Sequence, residues 1–237
     1  MPKEKVLIVL TSHNKLGKTG KKTGFHYEEL TTPYFVLKEE GLDVTLASIE
    51  GGKPPHDPGS LKKDADDCPE SVCKFLGDED AKKALEETVS INDIKAEDFD
   101  ALYLPGGHGV MWDFVNNKQL QNLVSSFYKS GKPIAAICHG VVGLIGATDE
   151  DGEEIVKDKR INSFTDAEEK EIGLDDVVPF LLESKLRDLG ARFEYSDKFQ
   201  AHISQNDNLV TGQNPASAEG VADLLITLIK EKRTRVA

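Results

Sequence analysis

Long apolar runs are missing from this chain. The clearest one, Val6 to Leu10, is too short for the hydrophobic region of a secretory signal, and nothing approaches membrane-spanning length. Neither export nor membrane insertion is expected. Positive charge is also scarce: 29 Lys and Arg stand against 42 Asp and Glu, a formal net charge of −13. Nucleic-acid phosphates are held by clustered cations, and the only basic cluster, Lys230-Glu231-Lys232-Arg233-Thr234-Arg235, reads as a solvated helix end, which argues against a nucleic-acid partner. Cysteine is limited to Cys68, Cys73 and Cys138. An odd count in 237 residues, long enough to bury a full core without staples, does not describe a disulfide framework. A reducing, cytoplasmic compartment is expected, with the nucleus open to the protein in a eukaryote. Cys68 and Cys73 have no partner ligands nearby and His56 stands alone, so both cysteines read as incidental and no metal is expected. The Gly-x-Gly-x-x-Gly cradle of a dinucleotide and the lysine and hydroxyl of a phosphate loop are absent too, and no internal repeat is visible.

What remains is alternation. Val6–Leu10 is a buried strand running into Thr11-Ser12-His13-Asn14. Phe25 to Leu37 has helical spacing, with Leu30, Tyr34 and Leu37 on one face, and Gly41 ends it before a second strand at Val44–Ala47. Ala101–Leu104 enters Pro105-Gly106-Gly107-His108-Gly109, and a helix carrying Leu120, Leu123, Val124 and Phe127 follows. After Ile134–Ile137, a short helix is expected over Gly140–Ala147, a strand at Ile161–Phe164, a helix over Val178–Leu189 and a strand at Ala191–Tyr195. The last strand, Asn208–Thr211, leads to a closing helix from Ser217 to Lys230. Apolar strands alternating with amphipathic helices predict a mainly parallel sheet with helices on both faces, in one domain covering residues 1–237. The stretch from about 51 to 80, rich in Pro, Gly and Asp, is too polar for its own core and is expected to rest on the sheet as an excursion or lid.

The chemistry points to Cys138. The apolar run Ile134–Ile137 stops abruptly on Cys138-His139-Gly140 and a helical stretch follows, the layout of a nucleophile elbow. A sulfur at that turn, facing the amides of the next helix, is expected to favour the thiolate. In open α/β sheets ligands gather at the carboxyl ends of the strands, which brings four loops to one place: the loop after Val9, Gly106-Gly107-His108, Cys138-His139 and Phe164-Thr165-Asp166. Gly106-Gly107 lets backbone amides approach a developing negative charge. His139 follows the nucleophile directly, with His108, His13 and His202 as other bases, and either Asp166 or Glu169 could orient the imidazole. Glu28-Glu29 opens the first long helix, and one of the two could point inward, where a dry pocket would raise its pKa and let it donate to sulfur.

Taken together, these segments resemble the ThiJ/PfpI superfamily, the flavodoxin-like α/β proteins that include the Parkinson-disease-associated deglycase. The resemblance rests on the Val-Leu-Ile-Val-Leu-Thr-Ser opening, Lys22-Thr23-Gly24 with Glu29 four residues before Pro33, and Leu104-Pro-Gly-Gly-His-Gly109. It also rests on Ala135-Ala-Ile-Cys-His-Gly140, Phe164-Thr-Asp-Ala-Glu-Glu169 and Thr211-Gly-Gln-Asn-Pro-Ala-Ser217. The chain is most similar to the heat-shock chaperone and glyoxalase III branch. The resemblance implies a flavodoxin-like fold of the class I glutamine amidotransferase type. It implies Cys138 as nucleophile, His139 as its partner, Glu29 as the inward carboxyl and Glu169 as the orienting acid. Asp166 stays an alternative beside Glu168, and the amides of Gly107 and His139 form an oxyanion site. The implied activity is a glutathione-independent, cofactor-free glyoxalase turning methylglyoxal into lactate, with deglycation as related chemistry and a homodimer as an option. A holdase chaperone and a cysteine peptidase are the rival activities. The elbow continues Gly140-Val141-Val142 where close fungal members carry Gly-Pro-Ala, and the first loop, Ser12-His-Asn-Lys-Leu-Gly-Lys18, lacks their aromatic residue, which bears on substrate preference. No His-x-Glu stands in the C-terminal third, which argues against glutamine amidotransfer.

Overall fold

A computed structural model describes residues 3–61 and 68–236; the acidic run from 64 to 67 lies outside the described residues. The strands are β1 (Lys5–Leu10), β2 (Asp43–Ser48), β3 (Val89–Ser90), β4 (Ala101–Leu104), β5 (Ile134–Ile137), β6 (Arg160–Ile161), β7 (Arg192–Phe193), β8 (Ile203–Asn206) and β9 (Leu209–Gly212). The helices are α1 (Tyr27–Glu39), α2 (Glu70–Gly77), α3 (Glu79–Glu86), α4 (Val110–Asp113), α5 (Lys118–Lys129), α6 (Asp166–Glu171), α7 (Leu182–Asp188) and α8 (Ala218–Val236). Seven strands form one sheet in the order β3-β2-β1-β4-β5-β9-β8, parallel except for β8 against β9.

The unbroken apolar run of β1 has a direct cause. It lies between β2 and β4, in registers Val6↔Val44 and Val6↔Ala101, and is covered on both faces. Leu7 and Val9 join the core beneath Leu120, Val124 and Phe127 of α5. Val6, Ile8 and Leu10 join the opposite core beneath Leu30 and Leu37 of α1 and Val221 and Leu225 of α8. With period-two side chains, both alternations must be apolar when both faces are roofed. From β1 the order runs outward through β2 to β3 on one side and through β4 to β5 on the other. The carboxyl ends of β1, β4 and β5 therefore open on a topological switch point, where a crevice forms.

Several local readings change. The strand expected at Ile161–Phe164 is reduced to Arg160–Ile161, because Asn162 is drawn into bonds from its amide to Thr211 Oγ1 and from Nδ2 to Ser204 Oγ. The helix expected from Val178 starts only at Leu182, consistent with Pro179 disfavouring helical geometry at the residue before it. The stretch after the elbow is a 3-10 helix over Cys138–Leu144. β8 went unread because Ile203-Ser-Gln-Asn206 is polar; it forms the antiparallel outer edge of a hairpin whose turn contains Asp207 at φ +51°. Within the excursion, α2 and α3 bury Val72, Phe75, Ala81 and Leu85 in the core that contains α1.

Cys68 and Cys73, read as incidental, are joined in a disulfide with Cα atoms 6.0 Å apart. The helix starts at Glu70, between the two, and helical side chains tilt toward the N-terminus, which carries Cys73 back toward Cys68. Among the described residues, no helix is long and apolar enough to cross a membrane.

Candidate active site

Cys138 sits at φ +56°, in the left-handed region that a non-glycine residue occupies only at some cost. β5 delivers it in extended geometry, and the chain turns at once into the 3-10 helix, so the side chain is thrown off the sheet edge into the crevice. Its sulfur stands 3.4 Å from Nδ1 of His139. His139 Nε2 lies 2.6 Å from Glu169 Oε2, while Glu169 Oε1 lies 2.7 Å from Nε2 of His108. One carboxylate thus accepts from two imidazoles. With the Nε2 proton donated to Glu169, Nδ1 of His139 is left bare toward the sulfur, which is the tautomer a base at that position needs.

The electrostatics agree with this arrangement. Burial works to raise the Glu169 carboxyl, but the imidazoles of His139 and His108, through charge and hydrogen bonds, hold it well below the usual carboxylate range. Burial, and then the neighbouring His108, lower the pKa of His139, so it is a neutral base. Glu29, wholly buried on the first turn of α1, is pushed up to about 8, chiefly by desolvation. Its Oε2 accepts the Gly106 amide at 2.7 Å. Its Oε1 has no well-aligned hydrogen bond, and the polar side chain it meets is Cys138. The protonated carboxyl is therefore a donor beside the sulfur.

One expectation is overturned here. Cys138 is only 4% exposed, and burial pushes its thiol up rather than down, outweighing the His139 amide that donates toward it. The turn buries the sulfur instead of presenting it to water. The resting nucleophile is a thiol that must lose its proton as it attacks, and Nδ1 of His139 is the acceptor in reach.

The two neighbouring acids of α6 are separated by what each already holds. Thr165 and Glu168 form a reciprocal capping box. The other oxygen of Glu168 accepts from Asn214 Nδ2, Gln213 Nε2 and the Phe199 amide, so its capacity is taken up in holding three loops together. The Thr165-x-x-Glu168 pattern in the sequence was a signal that could have assigned it. Glu169, one residue on, faces the histidines. Asp166, considered for the site, is corrected: its carboxylate binds the amide and hydroxyl of Ser184 at the start of α7 and takes no part in the crevice wall. Of the other candidate bases, His13 bonds Lys15 O and stacks on Trp112, and His202 bonds Ser196 Oγ, so neither reaches the sulfur.

The crevice has a volume of about 830 Å³ and is lined by Cys138, His139, His108, Glu29 and Gly107. Glycine is required at 106: a Cβ there would stand 2.8 Å from the amide nitrogens of both His139 and Gly140 and 2.9 Å from Glu29 Oε2. The excursion contributes Asp57, Pro58, Gly59 and Ser60 to the wall. His26, unread in the sequence, also lines it. Burial lowers its pKa to about 4, so it is neutral, and its Nδ1 has no partner. Leu16, Phe164, Ile172, Leu174 and Phe199 make the mouth apolar. The arrangement can add a thiol to a small carbonyl, take up the thiol proton and move it between neighbouring atoms.

The DJ-1/PfpI family model matches residues 21–228. A glutathione-independent glyoxalase of Saccharomyces cerevisiae, HSP31, is 32% identical over 97% of this chain and 100% of its own length. Rapid Encystment Protein 24 kDa of Francisella tularensis superposes with a TM-score of 0.90 at 36% identity, covering 95% of this chain and 99% of that one. Glyoxalase III of Candida albicans superposes at 0.87 with 28% identity, covering 95% and 97%.

Proposed function

The chain belongs to the DJ-1/PfpI family, and from that premise we propose that it is a glutathione-independent glyoxalase converting methylglyoxal and water to lactate. The observation that carries this reading is the continuous line from Cys138 Sγ, which lines the crevice, through His139 to the buried Glu169, with a protonated carboxyl at Glu29 alongside.

The sulfur of Cys138 attacks the aldehyde carbon, and its proton passes to Nδ1 of His139. His139 gives that proton to the aldehyde oxygen, whose developing charge is met by the amides of Gly107 and His139, so the adduct is a hemithioacetal and the imidazole is neutral again. His139 then removes the hydrogen from the former aldehyde carbon, an acidic position because of the adjacent ketone, to give an enediol. Return of a proton to the neighbouring carbon yields the lactoyl thioester of Cys138. Water cleaves it, releasing lactate and restoring the thiol. Glu169 holds the imidazole in the reactive tautomer, His108 holds the second oxygen of Glu169, and Glu29 donates to the sulfur or to the substrate hydroxyl. Water is the one reactant the mechanism calls on besides methylglyoxal and the chain. Deglycation of early aldehyde adducts would use the same site, the excursion serves as part of its wall, and a homodimer is compatible with the reading. We place the protein in the cytoplasm, where cellular thiols would reach the Cys68–Cys73 bond through the exposed Cys73.

The test is lactate formation from methylglyoxal by the purified chain with glutathione omitted. Stoichiometric lactate supports the reading; consumption of methylglyoxal without lactate, or none at all, removes it.

A further inference from the structure

The pairing of two imidazoles on one carboxylate has a use beyond orientation. His108, His139 and Glu169 each present a ligand atom, all within 4.8 Å of one another; the two imidazoles line the crevice, and the buried Glu169 carboxylate bridges them. We infer that these three side chains form a binding site for a zinc-type transition-metal dication, and that occupancy of this site blocks the thiol chemistry.

Two neutral imidazoles and a carboxylate are a donor set that zinc takes, with one position left for water, whereas Mg2+ and Ca2+ favour oxygen ligands. The fit requires little movement. Bonds of about 2.0 Å set tetrahedral ligand edges near ~3.3 Å. The His108–Glu169 and His139–Glu169 contacts of 2.7 and 2.6 Å would open by about 0.6–0.7 Å on that geometry while the imidazoles draw together. The cluster already places a carboxylate between the two imidazoles, so a dication meets an anionic ligand there. Glu168 stands next to it in sequence, but its oxygens are occupied by Thr165, Gln213, Asn214 and the Phe199 amide, and it does not compete.

The consequence for Cys138 follows from the tautomer. A metal on Nε2 of His139 takes the lone pair there and obliges the ring proton to sit on Nδ1. Nδ1 is the atom 3.4 Å from the Cys138 sulfur. The proton only changes nitrogen and none is released, yet the base that would accept the thiol proton is now a donor. The ion silences the nucleophile without touching sulfur. Binding is independent of the glyoxalase reading; the inhibition rests on it.

The experiment titrates the purified chain with Zn2+ by calorimetry and with Co2+ by visible spectroscopy, beside Cys138→Ser, His108→Ala and Glu169→Gln, each checked for a native melting transition. We expect one ion per chain, a tetrahedral cobalt spectrum without a thiolate charge-transfer band, affinity within about threefold in Cys138→Ser, and a loss of roughly 10- to 100-fold in the other two. Glu169→Gln preserves shape, so it keeps the test valid if His108→Ala fails to fold. Lactate formation should stop on zinc saturation and return with a chelator. No saturable binding, binding lost in Cys138→Ser, or binding untouched by Glu169→Gln would each overturn the site. Zinc bound as expected to a chain that makes no lactate leaves the site standing and removes the glyoxalase reading. Turnover in a chain that binds no zinc does the reverse.

Discussion

Wholly buried, and with the Gly106 amide as its one well-formed hydrogen bond, the Glu29 carboxyl keeps its proton to about 8, where an ordinary glutamate would lose it near 4.5. Below that point it is a neutral donor beside Cys138; above it, a negative charge opposes both thiolate and enediolate. Turnover should therefore hold through neutral pH and fall as pH rises through about 8, and Glu29→Gln, which donates without ionising, should lose that alkaline fall. Stability follows the same sign. A folded pKa raised above the unfolded one contributes fully below the lower value and is lost on passing the upper, so Glu29→Gln should melt above the unaltered chain at pH 9. Identical alkaline profiles in rate would show that Glu29 is not the titrating group. The two acids of α6 separate in the same way. Glu169→Gln should lower kcat by roughly 10²-fold, since the histidine loses its anionic anchor, while Asp166→Asn should cost only about 1 kcal/mol of stability through its bonds to Ser184. Steady-state kinetics on both variants decide it, and a larger kinetic loss from Asp166→Asn would reverse the assignment.

Among elements, the loops at the ends of β4 and β5 carry the site because the strand order reverses between β1 and β4. The Gly106 loop passes so close under the elbow that the amides of His139 and Gly140 occupy the space of a side chain. Gly106→Ala should shift the elbow and cost about 1–3 kcal/mol of stability, with a disproportionate fall in kcat. An alanine variant with unchanged kcat would mean that the two loops move independently. This geometry marks how far the sequence was legible. Strand ends and the Cys138 elbow were readable because continuous apolar runs stop there and reactive residues begin. Which acid of Glu168-Glu169 faces inward was open to periodicity, since adjacent helical residues differ by about 100° and both are buried. It was the occupancy of Glu168 by Thr165, Gln213 and Asn214 that decided it, and two of those partners lie more than forty residues along the chain. The hydrogen bond of His108 to Glu169 was equally out of reach, as it joins residues 61 apart. The raised thiol of Cys138 runs against the expectation of a thiolate at the turn, because the sulfur is buried in the core cluster that holds Leu30 of α1 and Phe164.

At the scale of the molecule, any holding of unfolded clients is predicted not to need the thiol. Ile172, Tyr195 and Phe199 are exposed on the carboxyl-terminal half, and Ile172 and Phe199 flank the crevice mouth. Were the chain to act as a holdase, that apolar rim would bind clients, and Cys138→Ala should suppress aggregation as well as the unaltered chain does. Light scattering of a heated client with both proteins checks this, and loss of suppression in the variant would tie the two activities to one site. The Cys68–Cys73 bond closes only a short loop, so Cys73→Ser should move Tm by no more than a few degrees; chain-entropy gains shrink with loop length. The central claim is that one side chain, Cys138, carries the conversion of methylglyoxal to lactate within a fold that does not need it for stability. The most direct measurement compares glutathione-free lactate formation by the unaltered chain and by Cys138→Ala at matched concentration, with the melting transition of each recorded alongside. The account predicts turnover for the first, none above background for the second, and Tm values within a few degrees. Lactate formed at a comparable rate by a natively folded Cys138→Ala would contradict it.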